Sequence, residues 1–378
     1  MAWGTMSVDW ETRVDYDRLR SYRLSRAKEQ LDKQKIGHLL VIPDGSLHYV
    51  PFGMLRIAGE KENTRQYLIE RFAVSSVPAM TTLETLRRQR AEREQQRKIP
   101  RRQLLAFANP DFGSLPSNLQ LAQSAPVVQD DMVTRMRSFR SDYYKGGGLR
   151  LTSLPETEQE AMRVASLFGP PQEFQQSNAA LSDGTAVVFT GRGASEEQVK
   201  RLMASAANAG AAQIVPRFRY VLFSTHGLAD TQNGMLSCVA LASPAAGSEE
   251  DGFLQAQEVM DLELDTDLVM LSACQTGLGR LRGGEGLIGL SAAFFYAGAE
   301  STCASLWQVP SGPTSQLVTE FFRRLKEGNV SRAEALRQAQ LTVMRQGRTP
   351  DGQSTDYSSP FCWAAFVLMG EYENHIDR

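Results

Sequence analysis

The second half of the chain contains three short runs that are mostly apolar and show no strict alternation with polar residues: Phe218-Arg-Tyr-Val-Leu-Phe-Ser-Thr225, Leu268-Val-Met-Leu-Ser-Ala273 and Ala299-Glu-Ser-Thr-Cys-Ala-Ser-Leu-Trp307. A strand with one wet face alternates apolar and polar residues. A strand that is apolar throughout must be covered on both faces, which is the condition of a parallel sheet between two helical layers. The intervening sequence has helical spacing at residues 287–297, 316–326 and 331–345, and the last of these opens with Ser331 and Glu334 at capping-box separation. A late strand is expected at 361–369. The architecture implied is an α/β sandwich with a mostly parallel central sheet.

The first half follows the same alternation less regularly. Residues 37–51 read as a short strand, an Asp-Gly turn and a returning strand, and 68–78 as a further strand. Thr81 or Thr82 is placed to cap a helix that continues into an Arg-rich run at 87–102, expected to be a solvated helix face. A strand at 104–111 ends in a turn, a helix covers 154–168, a strand covers 186–190, and Ser195 is the expected N-cap of a helix reaching Met203. Residues 112–150, rich in Ser, Gln, Asn and Gly, are too long for a structureless connection inside a core, and are expected to be a mobile, protease-sensitive loop. Residues 14–34 have helical spacing. The organisation expected is an N-terminal helical segment at 1–36, a remnant or docking point of an upstream region, then an N-terminal half at 37–210 and a C-terminal half at 211–378.

Composition removes several function classes. The 378 residues carry 41 Lys+Arg against 43 Asp+Glu, a net charge of −2, so there is no basic excess of the kind that holds nucleic acid. Apolar stretches fall well short of the roughly 20 residues that span a bilayer, and the charged opening sequence leads us to expect no signal peptide. Four cysteines in this length do not make a disulfide framework. Cys238, Cys303 and Cys362 lie in apolar runs and read as buried packing residues of a cytoplasmic protein.

Cys274 has a different setting. In parallel sheets, sites form beyond the carboxyl ends of strands, and two strands here end in residues capable of chemistry. Phe223-Ser-Thr-His226-Gly227 places a histidine at one exit, and Leu271-Ser-Ala-Cys274-Gln-Thr-Gly277 places a cysteine at another. If the two strands are neighbours, imidazole and thiol face each other, giving a thiolate nucleophile and a general acid for a leaving amine. Gly227 lets its N–H approach a substrate carbonyl, so that it and the Cys274 N–H form an oxyanion hole. The glycine-rich run from Gly277 to Gly286 is flexible enough to open and close over such a site. A lone histidine or cysteine is ordinarily a satisfied core residue, so the matched pair of strand ends carries this inference. No second His or Cys stands at metal-ligand spacing from either residue, and no phosphate-binding loop is present, so no metal or cofactor is expected.

These residues resemble the signature of CHAT domains, caspase-like cysteine proteases of clan CD related to separase and often attached to tetratricopeptide repeats. The resemblance rests on Thr225-His226-Gly227, Leu271-Ser-Ala-Cys274-Gln-Thr-Gly277, Gly284-Glu-Gly286-Leu-Ile-Gly-Leu, Tyr296-Ala-Gly298-Ala and Ala304-Ser-Leu-Trp307-Gln-Val. It extends to Val41-Ile-Pro-Asp44-Gly45-Ser-Leu-His48-Tyr-Val-Pro51-Phe52, Tyr67-Leu-Ile-Glu-Arg-Phe72 and Ala108-Asn-Pro-Asp111. It implies a caspase-like α/β fold in two related halves, with His226 and Cys274 catalytic. Relatives commonly place an acid after the Leu-Trp-x-Val strand, to meet a basic residue before the cut. Here Trp307-Gln308-Val309-Pro310-Ser311 offers none, which favours an uncharged or apolar residue there, with Trp307, Gln308 and Ser311 as candidate substrate contacts and Asp230 as a reserve acid.

The function expected is a cytoplasmic cysteine endopeptidase making limited cuts in partner proteins, in bacterial defence or programmed cell death. The resemblance suggests a gasdermin-like substrate and a tetratricopeptide-repeat or other sensor as activator, with no direct nucleic-acid or membrane partner. The alternatives are a catalytically silent signalling scaffold of the same fold, and a nucleotide-binding α/β domain, which the missing phosphate loop disfavours.

Overall fold

Six strands run parallel and side by side, and the inner ones, such as Arg102–Pro110, Ala186–Gly191, Phe218–Ser224 and Leu268–Leu271, are largely buried on both faces. The structure, a computed structural model, describes residues 36–58, 65–97, 100–113, 151–175, 185–203, 217–228, 234–245, 247–272, 274–275, 285–307, 309–345 and 357–374. The expected helix at 14–34, most of the 112–150 loop and the glycine-rich run after Gly277 lie outside these residues.

The strands are β1 His38–Val41, β2 Arg56–Ala58, β3 Arg65–Tyr67, β4 Ala73–Ser76, β5 Arg102–Pro110, β6 Gln172–Phe174, β7 Ala186–Gly191 and β8 Phe218–Ser224. They continue with β9 His226–Leu228, β10 Cys238–Ala240, β11 Phe253–Gln255, β12 Leu268–Leu271, β13 Cys274–Gln275, β14 Ser301–Ser305 and β15 Phe366–Gly370. The helices are α1 Met80–Gln96, α2 Pro155–Ser166, α3 Glu196–Leu202, α4 Ala256–Val259, α5 Glu285–Ala297, α6 Ser311–Glu327, α7 Arg332–Arg345 and α8 Pro360–Trp363.

The main sheet has nine strands in the order β1-β4-β15-β14-β12-β8-β5-β7-β6. The block from β14 to β6 is parallel throughout, and so is the block β1-β4-β15; the two blocks meet at the single antiparallel pair β14/β15. The four strands drawn from residues 211–378 are thus flanked on both sides by strands from 37–210. Alternate strand residues feed two cores. Leu104, Ala106, Leu222 and Met270 pack under α2, α6 and α7 with Val164, Phe321 and Leu336. Leu105, Phe107, Val221, Phe223 and Val269 pack under α1, α3, α4 and α5 with Leu86, Val199, Val259 and Phe294. The result is a three-layer α/β/α sandwich with a mostly parallel sheet. Among the described residues, no helix is long and apolar enough to cross a membrane.

Several local expectations are met and several are corrected. Ser195 caps α3, its hydroxyl accepting the Gln198 N–H at 3.2 Å, and the Ser331 hydroxyl accepts the Glu334 N–H at 3.1 Å. The expected return after the Asp44-Gly45 turn is a 3-10 turn over Gly45–Tyr49, because β4 rather than this segment takes the place beside β1. The N-cap of α1 is Ala79 with no side-chain cap, so neither Thr81 nor Thr82 has that role. The late run begins as the turn α8, capped by the Ser359 hydroxyl, and becomes strand only from Phe366. The Arg-rich run is less solvated than expected: Arg87 meets Glu371 at 2.6 Å and Arg97 meets Asp265 at 2.8 Å, which pins α1 to the sheet.

The end of the parallel block where the strands begin is closed by buried charge. Asp267 is paired with Arg101 at 2.5 Å and Arg219 at 2.7 Å, while Arg332, fully buried, meets Glu300 at 2.8 Å. Ionic groups here are tolerated because each charge has a partner of opposite sign. The end where the strands finish is where the candidate site lies.

Candidate active site

β8 and β12 are parallel neighbours, with Phe223 paired to Leu271 as the last pair. Beyond them the chains pair again in a separate four-stranded sheet of order β11-β10-β9-β13, where Cys274 is the register partner of His226 and Gln275 of Gly227. The offset between the strands is the same before and after the change of sheet. Backbone register alone therefore sets the histidine and cysteine side by side at the exit of adjacent parallel strands. Thr225 anchors the change, its hydroxyl donating to the Ala240 carbonyl of β10 at 2.7 Å. Gly227 also pairs with Val239 of β10, so this glycine lies between two strands.

His226 is 8% exposed, and two segments from far away in sequence hold its ring. Its Nε2 lies 2.9 Å from the Thr152 carbonyl oxygen, and the Phe112 ring centroid lies 5.4 Å from its own at a tilt of 47°. A carbonyl has no hydrogen to give, so Nε2 must carry the proton, and in the neutral imidazole the lone pair is left on Nδ1. Burial lowers the His226 pKa and the Thr152 carbonyl partly offsets this, so the ring is a neutral base near pH 7.

Thr152 and Phe112 reach the histidine because Asn109 ties the end of β5 to the start of α2. Asn109 adopts φ 42°, the left-handed region that asparagine tolerates better than most residues. In that conformation its side-chain oxygen accepts from the Leu154 N–H at 2.8 Å and the Ser153 hydroxyl at 3.0 Å, and its amide donates to Glu158 at 2.9 Å. Asp111, two residues on, accepts from the Gly113 N–H at 2.9 Å and pairs with Arg192 at 3.2 Å, which holds its carboxyl below the usual range. The Ala-Asn-Pro-Asp run is thus the device that presents Phe112 and Thr152.

Trp307 lies just past the end of β14, the strand next to β12, and donates its indole N–H to the Phe361 carbonyl at 2.9 Å. Ser311 is exposed as the first residue of α6. Both lie on segments leaving the same end of the sheet as His226. Asp230 and Gln308 lie outside the described residues. Cys238, Cys303 and Cys362 are buried, and desolvation drives the Cys303 thiol pKa far up, so none competes as a nucleophile. Three carboxylates, Glu196, Glu250 and Glu258, come within 4.8 Å of one another, and the Lys200 ammonium bridges all three.

Sequence reasoning missed Phe112, Thr152 and Asn109. Asn109 had a signal, since Ala108-Asn-Pro-Asp111 stood out as a motif.

The structure is thus an α/β sandwich in which adjacent parallel strands end in a histidine and a cysteine. The chain belongs to the CHAT domain family, which it matches over residues 17–371. Among curated proteins it is similar to tetratricopeptide repeat protein 28 of Mus musculus, 24% identical over 362 residues and 88% of this chain. The Homo sapiens protein of that name is 24% identical over 343 residues. The chain spans about 12% of the length of these relatives. Among solved structures it aligns with separase in the Saccharomyces cerevisiae separase–securin complex, at TM-score 0.43 and 13% identity, covering 96% of this chain and 18% of that one. It also aligns with the Arg-specific cysteine proteinase gingipain R at TM-score 0.31 and 11% identity, over 81% of this chain and 72% of that one.

Proposed function

We propose that this chain is a cysteine endopeptidase in which Cys274 attacks the peptide carbonyl and His226 handles the proton. The observation that carries the reading is the register pairing of Cys274 with His226, together with the Thr152 carbonyl that commits the proton to Nε2. With Nδ1 as the basic nitrogen, the imidazole takes the thiol proton and later returns it to the leaving amine. The N–H groups of Gly227 and Cys274 stabilise the tetrahedral oxyanion, and water then hydrolyses the acyl-enzyme. No cofactor is required for this sequence of steps. The residue before the cut is uncharged or apolar, received near Trp307, Gln308 and Ser311, unless Asp230 supplies the missing acid.

The substrate is a protein cut at few positions, in a cytoplasmic defence or cell-death pathway, with a gasdermin-like pore former as one target. Tetratricopeptide-repeat relatives support a repeat protein or repeat region as the controlling partner. The test is incubation of the purified chain with a diverse peptide library and mapping of the cut sites by mass spectrometry. Cys274→Ala and His226→Ala each lower cleavage by about 10³-fold or more if the dyad performs the chemistry. Cleavage unchanged in Cys274→Ala overturns the nucleophile assignment. Failure of an electrophilic peptide probe to label Cys274 in the intact protein favours the signalling scaffold.

A further inference from the structure

Two residues before each member of the dyad stands a buried serine, and both serines bond to one carboxyl group. Ser224 ends β8 and Ser272 follows β12; they continue the Tyr220–Leu222 and Leu268–Met270 alternation and so face α2. From the middle of α2, Glu160 (2% exposed) accepts the Ser224 hydroxyl at 2.7 Å and has the Ser272 hydroxyl as a second hydrogen-bond partner. The β8/β12 pairing of the main sheet ends at Phe223–Leu271, and the pairing of the second sheet begins at His226–Cys274. The carboxyl bridge falls between these two pairs, where the strands pass from one sheet to the other. Burying a carboxyl among apolar neighbours is costly, and a serine on each strand exit offsets that cost only if both strands keep their spacing.

We propose that Glu160 is a positioning residue for the dyad, tying the exits of β8 and β12 together through Ser224 and Ser272 so that His226 and Cys274 arrive in register. The proposal rests on the cysteine-peptidase reading. Glu160 touches neither substrate nor the reacting atoms; it acts through the two strands. Its side chain can be replaced by glutamine, which still bonds two hydroxyls, or by leucine, which fills the volume and bonds neither.

The experiment measures the alkylation rate of Cys274 by iodoacetamide at pH 7, by mass spectrometry, with and without His226→Ala. In the native chain, His226→Ala slows alkylation about tenfold, as the thiolate loses its imidazole partner. The same ratio persists in Glu160→Gln. It falls below twofold in Glu160→Leu and in the Ser224→Ala/Ser272→Ala double variant, each verified as folded by circular dichroism. If Glu160→Leu does not fold, the double serine variant, which removes only two hydroxyls, decides alone. A full tenfold His226 dependence in that folded variant overturns the proposal, since a purely stabilising role would leave the dyad coupling intact. Absence of any His226 dependence in the native chain defeats the dyad reading itself, and this proposal with it, and is recognised because no Glu160 or serine variant is needed to see it.

Discussion

Replacing Glu160 by glutamine tests the energetics of the buried carboxyl directly. Desolvation, opposed by the two serine hydroxyls and the Arg163 charge, pushes its pKa from 4.5 up to about 7. The folded state therefore holds the proton more tightly than the unfolded chain, so the native protein loses stability as pH rises. The loss starts near pH 4.5, where the unfolded carboxyl ionises while the buried one stays neutral, and is complete just above pH 7. That rise corresponds to about 3 kcal/mol in total, most of which falls between pH 5 and pH 8. Glutamine has nearly the same shape and carries no charge at any pH. Urea denaturation followed by tryptophan fluorescence should show Glu160→Gln close to the native chain at pH 5 and about 2–3 kcal/mol more stable at pH 8. Taking the difference between the two proteins cancels every other titrating group that the substitution leaves alone. Stability curves that run parallel from pH 5 to 8, or a gap that widens toward acid, would refute the reasoning.

Other substitutions probe the supports of the site. Asn109→Ala places an alanine at φ 42° and removes three side-chain hydrogen bonds, so it should cost about 2–4 kcal/mol in denaturant titration. It should also weaken the His226 dependence of Cys274 alkylation, because the segment carrying Thr152 loses its anchor. Arg332→Ala takes the paired cation from buried Glu300, while Asp267 keeps Arg101 and Arg219, and should lower stability by about 3–5 kcal/mol, measured by thermal and urea unfolding, whereas Arg219→Lys, which keeps a cation beside Asp267, should cost less. Gly298→Ala drives a Cβ into the Leu264 carbonyl oxygen from a backbone at φ +112°, so soluble yield or melting temperature should fall sharply, with a cost above about 3 kcal/mol.

The layered sheet was legible because burial on both faces removes the polar half of each strand's pattern, and Leu268-Val-Met-Leu carries that mark on its surface. Ser195 and Ser331 were legible as caps because capping is a local contest between a hydroxyl and backbone N–H groups within one turn. The turn at Gly45–Tyr49 and the antiparallel course of β15 were not legible, since both depend on which distant strand takes the neighbouring edge. Short strands such as β9, β10 and β13 have too few residues to show a period. His226 and Cys274 could be singled out from their strand-end motifs alone, but the Thr152 carbonyl could not, because any residue offers a carbonyl and only the path of the chain selects one.

What the amino-acid order determined by itself is therefore the repeating alternation of doubly buried strands with amphipathic helices, and the two residue types at matching strand ends. These follow from side-chain chemistry read over a few turns or a few residues. The tertiary structure decided which strands became neighbours, the register that sets Cys274 against His226, the carbonyl that assigns the imidazole proton, and the bridge from Glu160 to two serines. Each of those joins residues tens of positions apart, and contacts of that range are chosen by how the whole core packs rather than by any local preference.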